Sequence, residues 1–79
     1  MTEKHVGYIT GPPRFGKGTL PTKFLMEPED MEEVITVTWF DDGLAKIIKL
    51  REDLRVEVEG EWTTYQGKRE FKAYDVNPG

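Results

Sequence analysis

The chain has 79 residues, no cysteine and a net charge of −4, which limits both its size and its chemistry. A chain this short makes one domain, residues 1–79, with little interior for an enclosed active site, and without cysteine it forms neither disulfides nor a cysteine-ligated zinc site. No apolar run approaches the roughly 18–20 residues of a membrane span, and the start MTEKHVGY shows no signal peptide, so we expect a cytoplasmic protein with no membrane partner.

The N-terminal third predicts two strands that are joined by a glycine-rich and proline-rich loop. The segment HVGYIT, residues 5–10, is a short strand candidate that ends at a Gly-Pro-Pro turn. A second strand is expected over residues 19–26, where apolar and polar side chains alternate. The loop between them is GPPRFGKGT, residues 11–19.

This loop has the spacing of a phosphate-binding loop as far as Lys17, but not beyond it. That motif requires Ser or Thr directly after Gly-Lys to bind magnesium, and it must open a helix. Here Gly18 takes the hydroxyl position, and Pro21 lies where a helix would need a backbone N–H. The sequence therefore disfavours a nucleotide hydrolase, and the loop needs another role.

The middle of the chain predicts a third strand followed by a short helix. The segment EVITVTWF, residues 33–40, alternates apolar residues with threonine, which is typical of a strand with one buried face. Asp41 or Asp42 can cap a helix of about two turns. Its core-facing side is predicted to consist of Leu44, Ile47 and Ile48.

The last third predicts two more strands. Residues 54–59 alternate apolar and charged side chains, and this fourth strand is expected to end at Gly60, a position that also suits a bulge. After a turn in TTYQGK, a fifth strand contains Phe71, Ala73 and Val76. Five strands with one short helix between the third and fourth is the order of the OB-fold, so we predict an all-β, five-stranded Greek-key barrel.

Residues 34–76 resemble the nucleic-acid-binding OB domains of the anticodon-binding and replication-protein-A type. The similarity lies in the third-strand and helix pattern, the V-x-V-x-G of LRVEVEGEW and the Y-x-G-K hairpin of YQGKREFKAYDV. The family usually begins its fourth strand with Gly-Asp, whereas this chain has Glu52-Asp53, which leaves the shape of that turn open. The resemblance implies that single strands bind across strands two and three, flanked by the loops between strands one and two and between strands four and five.

Two locally basic segments coincide with these two loops. Residues 10–26 contain no acid but three cations, and residues 62–73 contain three cations and Glu70 alone. The net negative charge therefore does not argue against nucleic acid as strongly as it would if the acids were spread evenly.

The candidate site combines aromatic faces, which stack on bases, with cations, which follow phosphates. The first loop offers Arg14, Phe15 and Lys17, the second offers Trp62, Tyr65, Lys68 and Arg69, and strands two and three add Lys23, Thr36 and Thr38.

Several aromatic residues also have a structural interpretation. Phe15 could plug the end of the barrel, and Trp62 could cover the core. Trp39 alternates with core positions and is expected inside. Phe40, on the opposite face at the strand end, could be either a groove aromatic or a helix-packing residue.

No residue suggests catalysis, a metal site or a cofactor. Serine is absent, the only histidine, His5, has no ligand partner at suitable spacing and is expected at the surface, and the acidic segment EPEDMEE lacks the ligand order of a calcium loop. We therefore predict a non-enzymatic module that binds single-stranded DNA or RNA with low sequence specificity. The alternative is an OB-fold subunit that binds a protein partner in a larger complex, which the small size and acidic balance favour.

Overall fold

The computed structural model describes the whole chain, residues 1–79, and shows five strands closed into a barrel. The elements are β1 (Glu3–Arg14), β2 (Thr22–Pro28), β3 (Ile35–Trp39), α1 (Leu44–Ile47), β4 (Arg55–Tyr65) and β5 (Lys68–Pro78). The prediction of an all-β OB-fold barrel with one short helix between the third and fourth strands is confirmed. No helix in the structure is long and apolar enough to cross a membrane.

The strands follow each other around the barrel in the order β1, β2, β3, β5, β4, and β4 pairs with β1 to close it. All neighbours are antiparallel except β3 and β5, which run parallel. Closure gives every strand a partner on both sides, and only the outer part of the β4–β5 hairpin, where β4 beyond Gly60 pairs with β5 alone, extends past the barrel.

Alternating side chains of the five strands fill the interior. Phe24 lies opposite Val37, which lies opposite Phe71, so three strands contribute adjacent side chains to one layer of the core. The buried apolar residues are Ile9, Phe24, Met26, Ile35, Val37, Trp39, Ala45, Leu50, Val56, Val58, Phe71, Ala73 and Val76. Trp39 is therefore a core residue, as the alternation predicted.

The helix is shorter than predicted and turns a different side to the core. It spans four residues and begins after Gly43, whose φ is 88°. Ala45 is completely buried, whereas Leu44 is 49% and Ile47 is 73% exposed. Of the predicted core-facing residues, Leu44 and Ile47 are therefore exposed and only Ile48, at the end of the helix, packs against the core, because a single helical turn is too short to form an amphipathic stripe.

β4 does not end at Gly60 but continues to Tyr65, so the predicted long turn is a two-residue turn at Gln66 and Gly67. Both turn residues have positive φ, 51° and 75°, as a tight hairpin of the type I′ class requires. The predicted bulge is present, because the β4–β5 register shifts between Glu59 and Gly60. A side chain at Gly60 would collide with the carbonyl of Lys72, so this glycine permits close strand approach.

The turn before β4 forms without the glycine that the family usually has. Asp53 adopts a φ of 69°, a conformation that Asp tolerates better than most residues. Its N–H donates to the carbonyl of Ile9 over 2.8 Å, and the N–H of Ile9 donates to the carbonyl of Leu54 over 2.9 Å. These bonds bring the start of β4 against β1 and help to close the barrel.

Candidate nucleic-acid interface

A groove of about 410 Å³ lies over the outer face of β3, between the end of β1 and the β4–β5 hairpin. Eleven residues line it: Arg14, Leu20, Pro21, Lys23, Thr38, Phe40, Thr63, Thr64, Tyr65, Glu70 and Lys72. Three of these are cations and one is an acid, so the groove is locally positive on a chain whose net charge is −4.

Strand register places the basic residues of the groove in one row. Arg14 pairs with Lys23, Lys23 with Thr38, and Thr38 with Lys72. Directly opposed residues share a face of the sheet with Cβ atoms about 5 Å apart. Four strands therefore contribute a continuous line of polar side chains, of which the sequence predicted the first three and missed Lys72.

Lys23 is not a free cation. Its Nζ donates to Oε2 of Glu70 over 3.1 Å, and the Glu70 residue is only 8% exposed. The predicted contact residue Lys23 therefore lies in the groove as half of an ion pair.

The two predicted threonines of β3 differ in position. Thr38 lines the groove. Thr36 lies two residues earlier on β3, opposite Leu25, and does not line the groove.

The first loop consists of residues 15–21 and not the predicted 11–19, because β1 continues through the Gly-Pro-Pro segment to Arg14 and β2 begins at Thr22. It projects beside the groove. Phe15 is 38% exposed and is not part of the core, so it does not plug the barrel. Lys17 is exposed, and Leu20, which the sequence analysis did not single out, is 69% exposed and lines the groove. The loop thus presents a cation and two apolar side chains to solvent.

Buried hydrogen bonds hold this loop in place. The N–H of Gly16 donates to Oγ1 of Thr22 over 2.9 Å, and the Thr22 hydroxyl donates to Oδ1 of Asp41 over 2.7 Å. The other oxygen of Asp41 accepts from the N–H of Ala45 over 2.8 Å and so satisfies one N–H of the first turn of α1, although the N-cap residue is Gly43 and not the predicted Asp41 or Asp42. One carboxylate therefore links the first loop, β2 and the helix.

The same bonds set the acidity of Asp41. Burial raises the pKa of this carboxyl, but hydrogen bonds from the Thr22 hydroxyl and from backbone N–H groups, including that of Ala45, outweigh burial and hold the pKa below its ordinary value of 3.8. The ionised form is the one that the loop and helix require.

The β4–β5 hairpin divides its predicted site residues between two faces. Tyr65 pairs with Lys68 at the tip, and Tyr65 lines the groove with a residue exposure of 58%. Strand alternation puts Trp62 and Arg69 on the opposite face, and neither lines the groove. The structure therefore brings two of the four hairpin candidates to the groove side and not the other two.

Trp62 packs against the barrel instead. Its ring meets that of Phe71 edge to face at 5.2 Å, and its indole N–H donates to Oε2 of Glu3 over 3.0 Å. The Arg69 guanidinium lies 4.1 Å from the ring centroid, within cation–π distance. These contacts occupy both the polar edge and one face of the indole.

Phe40 is the groove aromatic that the sequence left undecided. It is 59% exposed and lines the groove, so it does not serve as a helix-packing residue. Thr63 was missed because the fourth strand was expected to end at Gly60, whereas β4 continues to Tyr65. Glu70 and Lys72 alternate with the core residues Phe71 and Ala73 of β5, so alternation along the predicted fifth strand would have put both on the outer face.

The prediction that His5 lies at the surface was wrong. It is 8% exposed, with Nε2 3.0 Å from Glu3 and Nδ1 3.1 Å from Asp30, and it contacts the rings of Trp62 and Phe71. Two hydrogen bonds lower the pKa of Glu3: the larger effect comes from the bond with His5 and the smaller from the bond donated by Trp62. Sequence spacing did not indicate the Asp30 partner of His5, which is 25 residues away.

No group of three or more His, Cys, Asp or Glu side chains in the structure is arranged to hold a metal ion.

Solved structures with a similar barrel include a complex with single-stranded DNA, a two-protein complex and a dimeric domain. A chain of the replication protein A heterotrimer bound to single-stranded DNA aligns with a TM-score of 0.74 at 17% identity, covering 99% of this chain and 57% of that one. A chain of the S. pombe Stn1-Ten1 complex aligns with a TM-score of 0.74 at 17% identity, covering 98% of this chain and 57% of that one. The dimeric N-terminal domain of PriB from Thermoanaerobacter tencongensis aligns with a TM-score of 0.70 at 24% identity, covering 99% and 94%.

At these identities the likeness shows the fold, and it confirms the resemblance to OB domains of the replication-protein-A type at that level. The chain spans little more than half, 57%, of the first two chains. No protein-family model matches the sequence, and no characterised protein matches it significantly.

Proposed function

We propose that this chain is a non-enzymatic module that binds single-stranded DNA or RNA along the groove, with low sequence specificity. One observation supports this most directly: the groove places exposed aromatic rings beside a row of cations. Phe40 and Tyr65, 59% and 58% exposed, line the same groove as Arg14 and Lys72. Stacking on aromatic rings and charge contacts to phosphates are the two interactions that sequence-tolerant single-strand binding requires.

Each group has a role in this proposal. Tyr65 and Phe40 stack on successive bases, and Phe15 extends the stacking surface at the first loop. Arg14, Lys17, Lys68 and Lys72 contact phosphates, and none of these four makes an ion pair with the protein. A cation without a protein partner loses no ion pair when it meets a phosphate.

The structural comparisons support the same function. The replication protein A structure contains single-stranded DNA on a protein with this barrel, although at 17% identity. The proposal includes both DNA and RNA because stacking uses base faces that the two share. A cytoplasmic location, expected from the sequence, remains part of the proposal.

The test is direct binding to a labelled strand. We would follow the fluorescence anisotropy of DNA and RNA strands of about 20 nucleotides, longer than the roughly 4–16 that one OB barrel covers. We expect micromolar binding that weakens with salt. The double variant Arg14→Gln/Lys72→Gln, which changes two cations that line the groove, should bind at least tenfold more weakly, on the order of one lost charge contact per residue.

The matched control is Lys46→Gln/Arg51→Gln. It removes the same charge at two exposed residues that do not line the groove. Equal losses in both double variants would indicate non-specific attraction and contradict the groove. A folded wild-type protein that binds neither strand at low salt would refute the function itself.

A second candidate function is assembly with a protein partner. Apolar side chains away from the groove are exposed, and they include Ile47 at 73%, Val34 at 50% and Leu25 at 46%. Two of the structural neighbours are chains of a heterotrimer and of a two-protein complex, and a third is a dimer. Size-exclusion chromatography with light scattering tests this function. A scaffold would self-associate or form a complex with its protein partner. Without that partner it would bind neither the DNA nor the RNA strand.

A further inference from the structure

Glu70 is an unexpected residue in a groove proposed to bind a polyanion. It is the one acid among the lining residues, and it is 8% exposed. A carboxylate at the base of such a groove repels phosphate, so its presence weakens backbone binding. Its position on the outer face follows from register, because it pairs with Thr63 of β4.

Only one of the two carboxylate oxygens of Glu70 is engaged. Oε2 accepts the hydrogen bond from Nζ of Lys23 over 3.1 Å, while Oε1 accepts none from the protein. No buried side-chain oxygen in the structure is both sealed from solvent and without a hydrogen-bond partner. Oε1 is therefore open to solvent, and because Glu70 lines the groove, we infer that it opens there.

The desolvation of a nearly buried acid and its lysine offsets much of their mutual attraction, so such a pair is weak evidence for a stabilising role. What the pair does provide is a hydrogen-bond acceptor and a donor side by side, in the same groove as the Tyr65 and Phe40 rings. That is the chemistry needed to contact the edge of a base that stacks on one of those rings.

We propose that Glu70 selects bases that bear an exocyclic amino group, so that the groove prefers cytosine to thymine or uracil. This inference rests on the proposed single-strand-binding function. A carboxylate accepts from the N4 amino group of cytosine, and the adjacent Lys23 ammonium donates to the neighbouring ring nitrogen. Thymine and uracil present a carbonyl oxygen where cytosine has its amino group, and that oxygen is repelled by the carboxylate.

The experiment compares two labelled strands, all cytosine and all thymine, in a slightly alkaline buffer in which cytosine strands stay unpaired. Wild type should bind the cytosine strand roughly tenfold more tightly, as expected for one charge-assisted hydrogen bond to a base. Glu70→Gln should reduce that ratio to nearly one, because an amide can also donate to the thymine carbonyl. The matched control Glu57→Gln removes an acid that also faces a lysine, Lys4, at 3.7 Å but lies outside the groove, and it should leave the ratio unchanged.

The ratio distinguishes base selection from simple repulsion. If Glu70→Gln strengthened binding to both strands equally, the carboxylate would act only by charge and the inference would be overturned. A wild-type ratio near one would overturn it as well, while leaving the proposed function intact. Failure of wild type to bind either strand would refute the proposed function and this inference with it.

The same series includes a control for loss of folding. Thermal melts show whether Glu70→Gln is folded at the assay temperature. If it is not, Lys23→Gln/Glu70→Gln replaces the ion pair with two amides that can hydrogen-bond to each other, and it should show the same loss of cytosine preference. A folded double variant that kept the wild-type ratio would overturn the assignment of Glu70.

Discussion

At the scale of single residues, exposure separates side chains that can meet a ligand from side chains that support the barrel. Tyr65 and Trp62 lie three residues apart on β4, yet one faces the groove and the other packs on Phe71. The difference arises because successive strand residues point to opposite faces.

Tyr65→Ala should weaken single-strand binding by about 1–3 kcal/mol, the value of one stacked base, with little change in melting temperature because the ring is exposed. The matched control is Tyr8→Ala, which removes a tyrosine of similar exposure, 49% against 58%, that does not line the groove. Anisotropy titrations of both variants check this. Equal effects would show that Tyr65 has no special role.

Trp62→Ala should instead destabilise the fold, by about 2–3 kcal/mol, since it removes packing on Phe71, the bond to Glu3 and the Arg69 contact. Urea unfolding measures the loss. Affinity at a temperature where the variant is fully folded should be nearly unchanged. A large loss of affinity without loss of stability would return Trp62 to the binding site.

Asp41 makes the stability of the loop and helix depend on pH. Its folded pKa lies below the ordinary 3.8, so its ionised form contributes stability above that value, and the contribution is lost as the pH falls through the folded pKa. Asp41→Asn should cost about 1–3 kcal/mol at neutral pH. The gap in melting temperature between variant and wild type should narrow in acid below the ordinary pKa. A gap that stayed constant with pH would contradict this role.

At the scale of elements, the first loop and the hairpin reach the groove by different means. The hairpin is a continuation of two paired strands and needs only a tight turn. The loop has few regular hydrogen bonds of its own and depends on Thr22 and Asp41. Its shape is therefore the more sensitive of the two to substitution.

Gly16→Ala should disturb the first loop, because the added methyl group would collide with the carbonyl of Leu20 and with the backbone of Pro21. We expect a loss of about 1–3 kcal/mol in stability or a displaced loop with weaker strand binding. Melting and anisotropy measured together show which occurs. Gly79→Ala, whose nearest new contacts are side-chain and backbone atoms of Arg55 at 3.1 Å and beyond, serves as a control far along the chain. An unaltered Gly16→Ala protein would contradict the close packing of the loop.

At the scale of the whole molecule, charge is partitioned rather than uniform. Acidic side chains occupy β4 at Glu57 and Glu59 and the region after β2, whereas the groove row is basic and meets β4 at Glu61, which pairs with Lys72. An acidic protein can therefore bind a polyanion at its basic groove, while its net negative charge opposes attraction of the polyanion from a distance.

The salt dependence of binding should reflect this partition. Four unpaired cations, Arg14, Lys17, Lys68 and Lys72, predict a slope of log affinity against log salt of about −3, from roughly −0.7 per phosphate on single strands. Arg14→Gln should reduce the magnitude of the slope by about 0.7. Titrations across a series of salt concentrations measure both. A slope near zero in wild type would exclude phosphate contacts as a source of affinity.

Much of the architecture could be predicted from local pattern. Alternation in residues 33–40 identified β3 and its buried Trp39, and the strand and helix order indicated the barrel. The helix face was predicted wrongly, because α1 is a single turn, and β4 was cut short, because Gly60 indicates both a strand end and a bulge. The two loops of the candidate site were located through a family resemblance rather than through residue pattern alone.

The sequence by itself determined which segments form the five strands, because the two-residue period of buried side chains runs along each strand. It also determined which two segments are locally basic. Only the tertiary structure decided which of those residues share a surface: that Tyr65 faces the groove and Trp62 does not, and that Lys23 pairs with Glu70, 47 residues away. Register across strands and the closure of the sheet control these contacts, and neither is encoded in the spacing of neighbouring residues.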